Sequence, residues 1–509
     1  MTKITFLIML ITIVSKVSGF GRDVVLSYFY GTSSTADAYL IALTIPGTIF
    51  SFVVTGVATS FIPLYSSISK EKSIAEADKF TSNIMNFILI ICTIIIFLVW
   101  IFTPQIVKLF ASGFNTETLN MTIEFTKISV TGIYFNGLIS VFVGYMQIKN
   151  KYIVPASIGI PLNLIIVCSI LLSAIMINPA FLPVGNVLAT ASQLFFILPF
   201  IYKQKFTYKL VLDYKDKYIK KVLYLALPVI LGISVDQINV LVDRTIASQI
   251  SVGGIAALNY ANKLNMFIQG IFVLSVTTVM YPRISKMAAE SKMLEFKKTI
   301  SAAIDGISLL VVPVTVGSMF FAEPIVKLLF GRGAFDAQAV SMTSSALLFF
   351  SFGMIGFGLR DVLCKAFYSL QDTRTPMINA VIALVTNIIL NITLSKFMGV
   401  GGLALATSIS AIFCTILLLI SLRKKIGSFN LKYSLICFMK VLAASITMGM
   451  FAKLSYLTLT ENVSANVALL ISITIGAVFY SAMIYFLKIT AAETLILAVK
   501  NEIGKLVNK

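Results

Sequence analysis

The sequence predicts an all-α polytopic membrane protein. It has about fourteen transmembrane helices, in two six-helix lobes around a central cavity, with two further helices C-terminal to them. Three observations predict this. Apolar residues make up 58% of 509 residues, and mean hydropathy is +0.95, far above a soluble domain. Apolar windows recur along the whole chain at close to the length that spans about 30 Å of hydrocarbon, and no polar stretch exceeds roughly 25 residues. Lysine and arginine fall on alternate loops, as the positive-inside rule requires of a polytopic chain.

The windows follow in order. Residues 4–21 form an apolar run after Lys3, interrupted at Ser15-Lys16 and loosened by Gly19 and Gly21. No A-x-A-like cleavage site follows, so this is read as an uncleaved first helix. Residues 38–65 open after Ser33-Ser34-Thr35-Ala36-Asp37. Windows at 80–103, 128–147, 153–176 and 181–201 complete a first group of six within residues 1–210. Windows at 222–249 and 254–281 repeat the charged character of the first pair. Those at 299–321, 338–359, 376–395 and 401–421 complete a second group within residues 211–430. Ahead of 376–395, Thr375 is placed as N-cap and Pro376 at the first helical position. Windows at 434–452 and 465–487 form the last pair, within residues 431–509.

With the N-terminus in the cytoplasm, 29 of the 40 basic residues fall in cytoplasmic segments, seven of them between Lys203 and Lys221. Five fall on the other side: Lys108, Lys327, Arg332, Lys396 and Lys453. An even span count then returns the C-terminus to the cytoplasm. The net charge of +19 is therefore mostly topological, and the scattered lysines do not form a nucleic-acid surface.

Composition excludes several chemistries. With no histidine, His-based acid–base catalysis, Ser-His-Asp and Cys-His nucleophiles and His-ligated zinc are all absent. Cys92, Cys168, Cys364, Cys414 and Cys437 lie far apart with no C-x-x-C, and read as small buried hydrophobes. No G-x-x-x-x-G-K-[ST] loop occurs, so the chain carries no Walker A nucleotide site.

The informative residues are charges inside apolar segments, where each costs roughly 2.5–3.5 kcal/mol unless it meets water or a partner. Lys16, Arg22 and Asp23 belong to the first segment and Asp37 to the start of the second. In the seventh segment Asp236, Asn239 and Asp243 share a face by their i, i+3, i+7 spacing, with Arg244 beside them. Lys263 lies within the eighth, in Asn262-Lys263-Leu264-Asn265. Arg22 and the stretch from Asp37 correspond to Arg244 and the stretch from Asn259 at an offset of about 221–222 residues, a weak internal repeat of six helices. Four cationic groups, Lys16, Arg22, Arg244 and Lys263, suit an anionic group such as phosphate. Asp37 has two readings: a helix-start charge complementing the dipole, or a carboxylate pairing in turn with Arg22 or Lys16.

SKVSGFGRD at 15–23, TADAYLIALTIPG at 35–47, DQINVLVDRTIAS at 236–248, FGRGAFD at 330–336 and FYSLQDTRTP at 367–376 resemble the MurJ (MviN) family of bacterial lipid II flippases. That family belongs to the multidrug/oligosaccharidyl-lipid/polysaccharide exporter superfamily. The resemblance implies a multi-pass protein of the bacterial plasma membrane whose cationic cavity is lined by helices 1, 2, 7 and 8. Helices 13 and 14 would form a groove for the undecaprenyl tail. It implies essential basic residues at the positions of Lys16, Arg22 and Lys263, two of them lysine where arginine is more familiar, and an essential acid at Asp37. A basic residue near Phe50 and acids near Thr55 and Met266, present in some members, are missing here.

The implied substrate is an undecaprenyl-pyrophosphate-linked muropeptide, moved from the cytoplasmic to the outer leaflet by alternating access. No cofactor is implied; a membrane potential or ion gradient would supply the energy, and cell-wall synthases are the expected protein partners. A flippase for another lipid-linked oligosaccharide and a drug/cation antiporter of the same superfamily are the alternatives. A membrane transferase is disfavoured by the absence of histidine.

Overall fold

The computed structural model describes residues 3–489. Lys500, Lys505 and Lys509, counted above with the cytoplasmic residues, lie outside them. The described residues form sixteen α-helices and one short 3-10 turn, with no strand among them. The first eight helices are α1 (Lys3–Tyr30), α2 (Ser34–Glu71), α3 (Ile74–Phe110), α4 (Thr116–Ser129), α5 (Ile133–Ile148), α6 (Ile153–Ser157), α7 (Gly159–Ile175) and α8 (Phe181–Lys203). The remaining eight are α9 (Lys217–Ile250), α10 (Gly254–Ala289), α11 (Met293–Phe320), α12 (Ala322–Leu329), α13 (Ala337–Ser369), α14 (Arg374–Ile426), α15 (Leu431–Leu459) and α16 (Ala465–Phe486).

Helix starts are set by local side chains. Ser33 accepts the Ala36 N–H at the head of α2, and Asn115 accepts that of Thr118 at α4. Ser73 accepts the N–H of Glu76 at α3, the S-x-x-E spacing of a capping box. Asp216 accepts the N–H of Tyr218 at α9. At α14 the expectation is corrected. The helix begins at Arg374, and Asp372 rather than Thr375 supplies the cap, accepting both the N–H (3.0 Å) and the hydroxyl (2.8 Å) of Thr375.

Eleven described helical segments are long and apolar enough to cross a membrane, or twelve with the bent pair Lys217–Leu227 and Gly232–Ile250 counted as one span. That pair is bent by 54° across a break containing Pro228, which lacks the N–H that would continue the ladder. The fourteen windows are reached by adding α1 and by counting α14 twice. As one straight helix the 53 residues of α14 would be about 80 Å long, far more than one bilayer crossing. Gly399 (φ 55°, ψ −134°) breaks it, and its halves run back along each other, joined by Asn387–Thr407 and Asn379–Ser421 hydrogen bonds.

The chain divides into two compact units. The first runs to Ala256 and includes Arg332–Asp336; the second comprises Ala257–Gly331 and the chain from Ala337. In the first unit Phe61, Tyr65, Phe80 and Tyr145 form an aromatic core around a buried hydrogen bond from the Tyr65 hydroxyl to Asp78 (2.9 Å). The linker before α9 is strapped onto α3. Asn83 exchanges two hydrogen bonds with the Asp213 backbone (3.1 and 2.9 Å), and Asn86 donates to the Val211 carbonyl (2.8 Å). In the second unit Leu309, Val312, Cys437, Val441 and Ile484 join α11, α15 and α16. An apolar cleft of about 370 Å³ lies beside them, where Gly317, Gly449, Ala452 and Gly476 leave room. Small residues at such interfaces let apolar helices approach where water supplies no driving force.

All five cysteines are free thiols. Cys92, Cys414 and Cys437 are buried as expected, Cys364 is half-buried, and Cys168 departs from the expectation in being exposed.

Candidate functional site

The first helix is longer than its apolar window. It continues to Tyr30, so Arg22 and Asp23 lie two turns inside it and do not mark its end. What keeps charge inside the helix is a local network. Arg22 donates to Asp23 Oδ1 through Nε (3.0 Å) and Nη2 (2.8 Å), and through Nη1 to Asn163 Oδ1 on α7 (3.2 Å). Asn163, only 5% exposed, donates in turn to the Ser15 carbonyl (3.2 Å) and the Ser18 hydroxyl (3.0 Å). Ser15, Ser18, Gly19 and Arg22 share one face of α1 by their i, i+3, i+4, i+7 spacing, and that face packs on α7. Three of the five guanidinium N–H groups are used, which leaves two for an anion.

Lys16 lies on another face of α1. It is exposed, among Ile13, Val14 and Val17, and makes no hydrogen bond or ion pair with a described residue.

Asp37 makes neither of the pairings expected of it. Its carboxylate is 1% exposed and reaches out of its own helix to the head of α10, accepting the N–H of Gly253 (2.7 Å) and of Ala256 (2.8 Å). These donors are unpaired within α10, so a side chain from α2 caps a second helix and ties it to the α1–α2 turn. Gly253 permits the contact: its φ is +80°, and a Cβ there would lie 1.9 Å from the Thr32 carbonyl oxygen. The loop Arg332–Asp336, five of the seven residues of the FGRGAFD stretch, docks on the last turn of α1, with the Ala334 N–H donating to the Tyr28 carbonyl (2.8 Å).

Arg244 belongs to this second cluster. It donates to the Ile255 carbonyl (3.1 Å) and lies within electrostatic reach of Asp243 and Asp37. Along the same helix Asn239 is half-buried with an unpaired buried Oδ1, and Asp236 is exposed. The structure thus forms two clusters in the first unit, Arg22–Asp23–Asn163 and Asp37–Arg244 at the head of α10. Lys263 lies in the second unit, half-buried on α10.

Asn163 is the site residue that pattern reading passes over. Its signal was present: one amide in the apolar run Gly159-Ile-Pro-Leu-Asn163-Leu-Ile-Ile. Without knowing that α7 packs against α1, nothing separates it from a structural amide. Within the second unit, the α11–α15–α16 cleft has mostly carbon at its walls.

Comparison with known proteins follows the same lines. The family model described as lipid II flippase MurJ matches residues 26–474. A protein of Vibrio cholerae described as a probable lipid II flippase MurJ is 29% identical over 412 residues, covering 79% of this chain and 78% of its own. One of Thermotoga maritima with the same description is 25% identical over 486 residues, covering 95% and 96%. A solved structure of lipid II flippase MurJ in an inward closed conformation superposes with a TM-score of 0.82 at 29% identity, over 95% of this chain and 99% of that one. An inward-facing multidrug resistance MATE transporter of the MOP superfamily shares the fold, with a TM-score of 0.68 at 15% identity over 83% and 98% of the two chains.

Proposed function

The chain belongs to the lipid II flippase MurJ family, and on that premise we propose how its own residues carry lipid II across the bilayer. It is a multi-pass membrane protein whose substrate is a lipid-linked peptidoglycan precursor. The protein relocates this lipid without altering its bonds. The observation that carries the reading is the Arg22 network: a guanidinium held inside an apolar helix by Asp23 and Asn163, with two donors left over. A pyrophosphate offers oxygens to such a fork in a low-dielectric setting, where charge-assisted hydrogen bonds are strongest. Lys16, Arg244 and Lys263 supply further positive charge, while Asp236, Asn239 and Asp243 offer acceptors and amide groups to the sugar and peptide. The α11–α15–α16 cleft takes part of the polyprenyl tail.

The orientation that supports this has both termini in the cytoplasm of a bacterial plasma membrane, following the bias of 29 basic residues to five. The α1–α2 turn, the head of α10 and the loop Arg332–Asp336 then lie on the outer side, and Asp37 is the latch that holds them together. Releasing that latch opens the outer side, and remaking it returns the protein to the state that loads from the cytoplasm. The membrane potential or an ion gradient biases the cycle, and synthases that consume the precursor are the proposed partners.

The test is transport by the purified protein in liposomes carrying a fluorescent undecaprenyl-pyrophosphate disaccharide in the inner leaflet. Wild-type protein should expose the headgroup to an external quencher, and Arg22→Ala should not. Equal rates for the two would refute the phosphate role of Arg22.

A further inference from the structure

In the first unit, a polar pocket of about 220 Å³ lies where the ends of α2, α3 and α9 meet the linker before α9. The substrate reading does not use it. Three cations, Lys72, Lys79 and Lys217, and three acids, Glu76, Asp213 and Asp216, line it, so its charge is balanced. Yet no two of these six side chains form an ion pair or a hydrogen bond with each other. Elsewhere in the chain such groups do close on each other, as Lys292 and Glu290 or Lys365 and Asp361 at 2.8 Å. The two linker acids each turn Oδ1 to a backbone N–H, Asp213 to that of Lys215 (2.9 Å) and Asp216 to that of Tyr218 (2.8 Å), and each keeps further lone pairs.

Two of the cations are placed by one ring. The Tyr218 ring has the Lys217 ammonium 4.9 Å and the Lys72 ammonium 5.6 Å from its centroid, and it is fixed by an edge contact with Phe80 at 5.9 Å. Two like charges around one ring repel, and an anion beside them offsets that cost. The Tyr218 hydroxyl is itself buried with no hydrogen-bond partner among the described residues. Depth narrows the ligand further. Ile68 and Lys72 lie just beyond the apolar window 38–65, Glu76 to Asn83 straddle the start of 80–103, and Lys217 and Tyr218 lie just before 222–249. At about 1.5 Å per residue all are within about 10 Å of those windows, at the level of lipid headgroups. The volume is below the roughly 300 Å³ at which pockets for drug-sized ligands begin, so the ligand is small. Unpaired charges of both signs suit a ligand that also carries both.

We propose that this pocket holds the headgroup of one zwitterionic phospholipid, a phosphodiester joined to a primary ammonium. The phosphate lies toward Lys72 and Lys217, the ammonium toward Glu76 and Asp213, and the acyl chains stay in the bilayer. The pocket joins the linker to α2 and α3, so a bound headgroup adds to the Asn83 and Asn86 hydrogen bonds that hold the linker down. The orientation proposed above makes the leaflet the cytoplasmic one; the site itself does not depend on that reading.

The test titrates the purified full-length protein in detergent with dilauroyl phospholipids and counts retained lipids by native mass spectrometry. Wild-type protein should retain one phosphatidylethanolamine about tenfold more tightly than phosphatidylglycerol, which has no ammonium, or phosphatidylcholine, whose ammonium has no N–H. Lys72→Ala combined with Lys217→Ala should weaken phosphatidylethanolamine binding by about tenfold or more. Glu76→Gln keeps the capping-box spacing and should erase the preference over phosphatidylglycerol; it decides the matter if the double lysine variant does not fold. Equal retention of the three lipids by wild-type protein, or variants that bind as wild type does, would overturn the proposal. So would glycerophosphoethanolamine, which has no acyl chains, binding as tightly as the lipid, since the ligand would then be a soluble one. The readout needs no transport, so its failure leaves the flippase reading standing, and failure of that reading leaves the headgroup site.

Discussion

Replacing Asp37 by asparagine isolates the tie between α2 and the head of α10. The two side chains are nearly the same size, so packing at this 1% exposed position is kept. The carboxylate accepts two backbone N–H groups, at 2.7 Å from Gly253 and 2.8 Å from Ala256. An amide has one acceptor oxygen, so one N–H would face an NH2 group. An orphaned buried donor costs about 1–3 kcal/mol, or roughly 5- to 150-fold in the equilibrium between docked and released α10. Hydrogen exchange measured by mass spectrometry reads that equilibrium directly. Peptides containing Gly253 to Ala257 should exchange faster by that factor, and those covering Asn83 and Asn86 should not change. Transport should stop in the same variant at normal protein level, because the latch no longer closes. Unchanged exchange at Gly253 and Ala256 would refute the capping role, and normal transport with fast exchange would remove the latch from the cycle.

Other changes test separate parts. Asn163→Leu leaves Arg22 with Asp23 alone and strips two hydrogen bonds from α1; it should lower the transport rate more than the melting temperature, measured side by side. Gly253→Ala places a Cβ 1.9 Å from the Thr32 carbonyl at φ +80° and should lower the melting temperature, whereas Gly21→Ala, with nothing within 4 Å, should raise helix stability by about 0.5–1 kcal/mol. Asn83→Leu removes both bonds to the Asp213 backbone, so trypsin should cut the linker at Lys209 and Lys215 faster in inside-out vesicles and not in right-side-out ones. At Asp372, burial opposes the charged form, but hydrogen bonds from Lys425 and Thr375 outweigh it and hold the carboxyl down at about 2, against an ordinary 3.8. Its stabilising contribution is therefore complete above the unfolded value and lost only as pH falls from near 4 through 2. Melting of wild type and Asp372→Asn should differ by a constant amount from pH 5 to 8 and converge only in stronger acid.

Much of the fold was legible because the bilayer imposes one length scale on every helix. The apolar windows fall on helical segments, although 128–147 and 153–176 each run across a break between helices and 376–395 and 401–421 share α14, and the charges at Arg22 and Arg244 stand out against apolar surroundings. What pattern could not supply was partnership. Arg22 and Asp23 fall just past the apolar window 4–21, yet α1 continues to Tyr30, with Asn163 accepting from the guanidinium. Asp37 sits at a helix start and invites a dipole reading of its own helix. Its partners, Gly253 and Ala256, are more than 200 positions away and are backbone groups, which carry no residue signature. The Asp372 cap was missed for a simpler reason: Pro376 suggests a later start, but proline is tolerated anywhere in the first turn, where no N–H is needed.

The central claim is that this chain carries lipid II across the membrane through the cationic residues within its apolar helices. The direct measurement is rescue of bacteria depleted of their own lipid II flippase, with outer-leaflet lipid II quantified in the same cells. Wild-type protein should restore growth and outer-leaflet lipid II, and a double Arg22→Ala, Arg244→Ala variant inserted at the same level should restore neither. Absence of rescue by correctly inserted wild-type protein would contradict the substrate, and full rescue by the double variant would contradict the site.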